Sequence, residues 1–114
     1  MQLLMRVFST IYYKVKFTLF PKVKIGKGVS IAGRLFVSPK NEVDLGSNNY
    51  IGPNCHVASD LRLESSILIA PNVAFVGGDH KFENLNGVPI IQSGRGEFRT
   101  TTVESNCWIG YGAI

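Results

Sequence analysis

From Ile25 onward an aliphatic residue recurs at every sixth position. One phase runs Ile25, Ile31, Val37, Val43; after a two-residue slip a second runs Leu45, Ile51, Val57, Leu63, Ile69, Phe75, and the first phase returns at Val103 and Ile109. An α-helix repeats about every 3.6 residues and a strand about every 2.0, so neither generates this period. A hexapeptide repeat does. A short strand and a tight corner take up each unit, and three units close a triangular turn of about eighteen residues, the unit of a parallel β-helix. The first position of a unit points inward, and the second sits at a corner where a large side chain would crowd the backbone. Ile25-Gly26, Ile31-Ala32, Leu45-Gly46, Ile51-Gly52, Val57-Ala58, Ile69-Ala70 and Ile109-Gly110 fit that rule. The fifth position also faces inward, and there stand Val29, Cys55, Ile67, Val73, Cys107 and Ala113. His56, at a sixth position, faces solvent.

The pattern predicts an all-β domain over 23–114 with about three to four coils, preceded by a helical, basic cap over 1–22 that Pro21 brings to an end. Ser38 to Tyr50 contains the phase slip and, with Pro39, Asn41, Gly46, Asn48 and Asn49, reads as a corner bulge. After Phe75 the period lapses until Val103, so residues 80–102 leave the prism as a loop. Long excursions from a regular scaffold are where function tends to sit.

A chain of 114 residues, 45% of them hydrophobic, makes one small domain with enough apolar material for a core. Two cysteines at inward positions, without CxxC or Cys/His ligand spacing, read as small core residues in a reducing compartment. Charge is uneven: Arg6, Lys14, Lys16, Lys22, Lys24, Lys27, Arg34 and Lys40 all precede the first acid, Glu42. Such an opening, with Phe8, Tyr12, Phe17 and Phe20, suits either a cap on the open end of the coil or peripheral contact with an anionic membrane. It is too interrupted by charge to span one, and its longest uncharged run, Val7 to Tyr13, is a poor signal-peptide core. The expected location is the cytoplasm, or peripherally the inner face of the plasma membrane. No helix-turn-helix, zinc or RNA-binding signature points to nucleic acid.

The repeat breaks at Gly77-Gly78-Asp79-His80 and resumes through Asn106-Cys107-Trp108-Ile109-Gly110. Together with Leu68-Ile69-Ala70-Pro71-Asn72-Val73 ahead of the histidine, this order resembles the hexapeptide-repeat acyltransferases, in particular the sugar, polysaccharide and xenobiotic O-acetyltransferases. The resemblance covers roughly 23–114. It implies a left-handed parallel β-helix, acetyl-CoA as co-substrate, a C3 homotrimer with sites between neighbouring subunits, and His80 as general base. It also implies that Trp108 and Gly110 lie along the donor's pantetheine arm, and that the Tyr111 backbone amide polarises the thioester oxygen. Asp79, Phe82 and Asn84, with Asn86 and Arg95, stand where an acceptor would enter beside the loop. No metal is implied.

The chemistry asks for the same residue type. A hydroxyl attacks the thioester carbonyl, a C–O bond forms, the C–S bond breaks, and a base must take the hydroxyl proton and return it to the leaving thiolate. An imidazole titrating near ~6.5 does both at neutral pH. Tyr50 stands at the spacing where the galactoside enzymes keep a sugar-binding asparagine, which argues against a galactoside acceptor. Family members continue for several coils beyond the position of Ile114, so the chain reads as the front part of such an enzyme, C-terminally truncated. Two alternatives stay open: a catalytically incomplete β-helix serving as an assembly or regulatory partner, and an N-acyltransferase on an amino sugar. A three-histidine metal site is disfavoured, because the chain has only His56 and His80.

Overall fold

The structure is a computed structural model that describes residues 2–97 and 99–114. Met1, at the start of the predicted cap, and Phe98, within the predicted loop, lie outside the described residues. The chain opens with helix α1 (Gln2–Lys16) and a 3₁₀ turn (Phe17–Leu19). Short strands follow: β1 (Val23–Lys24), β2 (Ser30–Ile31), β3 (Leu35–Val37), β4 (Val43–Asp44), β5 (Tyr50–Ile51) and β6 (Cys55–Ala58). Then come β7 (Leu61–Leu63), β8 (Leu68–Ile69), β9 (Ala74–Val76), a second 3₁₀ turn (Ile90–Gln92), β10 (Thr101–Val103) and β11 (Trp108–Ile109).

Strands are hydrogen-bonded in the orders β1-β4-β7-β10, β2-β5-β8-β11 and β3-β6-β9, called here the first, second and third sheets. Every pairing between these strands is parallel. Consecutive strands therefore visit the three sheets in rotation, an arrangement compatible with a parallel β-helix. Inward residues of all three sheets meet in one core that includes Ile31, Leu35, Val43, Leu45, Ile51, Val57, Leu61, Leu63, Ile67 and Ile69.

The register locates both irregularities. Val23 pairs with Val43, twenty residues on, whereas Val43 pairs with Leu61, eighteen on, and Leu61 with Thr101, forty on. Because Val37 pairs with Val57, the two extra residues of the first turn lie in Ser38–Glu42, at the corner between the third and first sheets. This corrects the assignment of Val43. Its column is Val23–Val43–Leu61, so it is an inward position of the preceding kind, and Leu45 is the residue that follows Ile25. Both Val43 and Leu45 are buried, so the hexad phase alone could not tell them apart. The excursion also begins and ends earlier than 80–102, since β9 finishes at Val76 and β10 starts at Thr101.

Two corners turn through positive φ, and each repeats the solution from turn to turn. Gly28, Asn48, Ser66 and Asn106 form one column, and Asn54, Asn72 and Gly112 the other. Glycine and asparagine adopt this region at the least cost. Cys55 is buried as expected, and burial pushes its thiol up, which keeps it protonated and inert. Cys107 is a correction: it is exposed, because the turn that carries it is covered by a neighbouring turn on one side only.

Helix α1 lies across the first turn, where β1, β2 and β3 are edge strands with unpaired backbone groups. Side chains of the helix take those groups up. The Ile31 N–H donates to Thr10 Oγ1 at 2.9 Å, the Leu35 N–H donates to Tyr13 Oη at 2.8 Å, and Ser9 Oγ donates to the Gly33 carbonyl at 3.1 Å. Tyr13 and Phe17 are buried against the core.

Candidate functional site

The excursion between β9 and β10 leaves the corner joining the third and first sheets through a closed neck. His80 and Arg95 form an antiparallel bridge, flanked by Lys81 N–H to the Gly94 carbonyl at 3.0 Å and Gly96 N–H to the Asp79 carbonyl at 2.7 Å. The Arg95 guanidinium donates to the Gly78 carbonyl at 3.1 Å, tying the neck to the last residues of the coil. Farther out, Val88 N–H closes a turn on the Leu85 carbonyl, with Asn86 and Gly87 both at positive φ. Asn-Gly is the dipeptide such a turn favours.

The neck holds His80 at the surface. The imidazole lies in an open cleft of about 430 Å³ lined by Asp79, Lys81, Phe82, Glu83, Asn84 and Gly96. Of the predicted acceptor contacts, Asp79, Phe82 and Asn84 thus share the cleft with His80, while Asn86 sits at the loop tip and Arg95 braces the neck. No described side chain hydrogen-bonds the imidazole. Phe82 is 72% exposed, so its ring is free to stack on a flat apolar surface.

The residues expected on the donor side lie elsewhere. Trp108 is on β11, in register with Leu68 and, through it, with Tyr50, on the outer face of the second sheet. It is 77% exposed. Tyr111 lies beyond the following corner, where Asn72 donates a short hydrogen bond to its hydroxyl. Gly110 has open space around its Cα. In a prism of three sheets the corner between the third and first is opposite the second sheet. The loop bearing His80 thus leaves the coil opposite the sheet that carries Trp108, and Trp108 is not among the residues lining the His80 cleft.

Two polar groups near the loop escaped the sequence reading as site candidates. A second cleft, about 660 Å³, lies under the neck between Ser38, Lys40, Asn41, Ala58, Asp60, Val76, Gly77 and Arg95. Asp60 is fixed in its wall by Asn41 Nδ2 at 3.0 Å and the Glu42 N–H at 2.9 Å. The signal was the two-residue slip itself, which widens this corner and lets Asn41 reach Asp60. His56 is exposed, as expected, and stacks on Phe36 with ring centroids 4.5 Å apart. Among the described residues no cluster of three or more His, Cys, Asp or Glu could hold a metal ion. No described helix is long and apolar enough to cross a membrane.

The fold and the cleft define a three-sheet parallel coil with a histidine-bearing side loop. No protein-family model, curated protein or solved structure matches the chain.

Proposed function

We propose that the chain is a left-handed β-helix acetyltransferase that moves an acetyl group from acetyl-CoA to a hydroxyl of a sugar or polysaccharide precursor, with His80 as general base. The observation that carries the reading is the interruption of a strict coil by one braced loop whose neck presents an exposed histidine in a polar cleft. Direct transfer needs no nucleophilic residue. His80 takes the acceptor's hydroxyl proton as the C–O bond forms and returns it to the CoA thiolate as the C–S bond breaks. Asp79, Asn84 and Phe82 are suited to a sugar, offering hydrogen bonds and a stacking face around the same imidazole.

Acetyl-CoA belongs against Trp108, Gly110 and Tyr111 in this reading, and the opposite placement of Trp108 and His80 makes the site a shared one. A C3 homotrimer satisfies that demand, because the loop corner of one protomer can meet the second sheet of the next. Exposed apolar side chains on the outer faces, Leu68 and Trp108 on the second sheet with Phe36 and Val76 on the third, give such an assembly surfaces to cover. The first sheet instead carries Lys24, Asp44 and Arg62 in register, which suits water.

The test is thiol release from acetyl-CoA in the presence of a panel of sugar acceptors. The expected result is turnover with at least one acceptor and a loss of ~100-fold or more in His80→Ala, with the circular dichroism spectrum unchanged. Retention of a tenth of the rate or more would remove His80 from the base role.

A further inference from the structure

Helix α1 has two faces of different kind. One, through Ser9, Thr10, Tyr13 and Phe17, closes the first turn of the coil. The other carries Leu4, Phe8, Ile11 and Val15 at helical spacing, each between 53% and 64% exposed, and continues into Leu19 of the 3₁₀ turn. Soluble surfaces scatter single apolar residues; a contiguous stripe of large ones needs an occupant. At helical spacing Lys14 and Lys16 flank this stripe, Lys14 exposed and Lys16 half-buried with its ammonium over the Tyr12 and Tyr13 rings, and no acidic residue precedes Glu42.

We propose that this face is a docking surface for an anionic lipid membrane, with the stripe buried at the headgroup boundary and the flanking lysines at the phosphates. Charge selects this occupant over a second copy of the chain. Pairing two such helices would bring like charges together with no acid to offset them, whereas an anionic leaflet complements both margins at once. Long lysine stems suit the position, since they lie along apolar surface while the ammonium stays among polar headgroups. The helix is anchored through its other face by side-chain hydrogen bonds to β2 and β3, so the apolar stripe is presented by a folded scaffold. The inference does not depend on the acetyl-transfer reading.

The experiment is sedimentation of the full chain with vesicles of phosphatidylcholine alone and of phosphatidylcholine mixed with phosphatidylglycerol. Binding is expected to the mixed vesicles and to weaken with added salt. Phe8→Glu combined with Ile11→Glu should lower the partition at least tenfold. Lys14→Gln combined with Lys16→Gln should lower it about 25-fold, at roughly fivefold per basic residue near an anionic surface. Phe8, Ile11 and Lys14 are exposed and Lys16 is half-buried, and circular dichroism checks that the fold persists. Val88→Glu with Ile91→Glu, in the distant loop, adds the same charge and should leave binding unchanged. Absence of binding to the mixed vesicles, or binding indifferent to the helix variants, overturns the proposal. So does an oligomer that these helix variants dissolve without any vesicle binding, which would assign the face to a second copy.

Discussion

Gly46 and Gly110 each follow an inward aliphatic residue, yet the coil asks different things of them. Gly46 has φ +65°, and a Cβ built there would overlap the carbonyl oxygens of Leu63 and Glu64 in the next turn. Gly110 meets nothing within 4 Å. Gly46→Ala should therefore cost about 2–4 kcal/mol, adding left-handed strain to backbone crowding, while Gly110→Ala should stay within about 0.5 kcal/mol. Urea unfolding of the two variants checks both, and equal losses would mean that the corner rule acts through something other than the stacked turn. The inward positions at this scale were legible because a period of six has a single structural source. Asn49 was not. Its sequence context reads as a bulge residue, but the side chain is 2% exposed and spans two turns, donating to the Leu45 and Glu64 carbonyls and accepting from the Ile67 N–H. A buried asparagine that stitches rungs together has the composition of a turn, so type and spacing alone could not distinguish the two.

At the scale of elements, the helix earns its place by replacing a missing turn. Thr10 and Tyr13 satisfy backbone N–H groups that a preceding rung would otherwise take, which is how an edge is kept from pairing with another chain. Thr10→Val keeps the shape and removes the acceptor, leaving the Ile31 N–H unpaired at a cost of about 1–3 kcal/mol. Unchanged stability in chemical denaturation would show that water reaches that edge and that the helix acts by packing alone. The existence of the helix, the coil and the side loop could all be read from where the hexad runs and lapses. The neck of the loop could not, because the pairing of Asp79–Lys81 with Gly94–Gly96 depends on backbone bonds that any residues can make. The same indifference explains why the predicted loop bounds differed from the observed 77–100.

For the whole molecule, topology sets apart the residues proposed for the two halves of a transfer site. The rotation of strands through three sheets puts His80 at a corner and Trp108 on the face opposite. His80 was legible from the break in the repeat and Trp108 only through the family resemblance, and the order of sheets, which sets them apart, was legible in neither. A shared site predicts complementation. Chains carrying His80→Ala and chains carrying Trp108→Glu, each inactive alone, should regain about a quarter of wild-type activity when co-expressed, because every mixed trimer contains one interface with both native residues. Mixtures no more active than either parent would place the whole site within a single chain.

The most direct test of a shared acetyl-transfer site is calorimetric titration of the folded chain with acetyl-CoA, with mass by light scattering recorded on the same sample. The expected result is a trimer that binds acetyl-CoA at micromolar concentration, with binding lost in Trp108→Glu and retained in His80→Ala. A folded chain that takes up no acetyl-CoA, or one that binds it as a monomer, would contradict it.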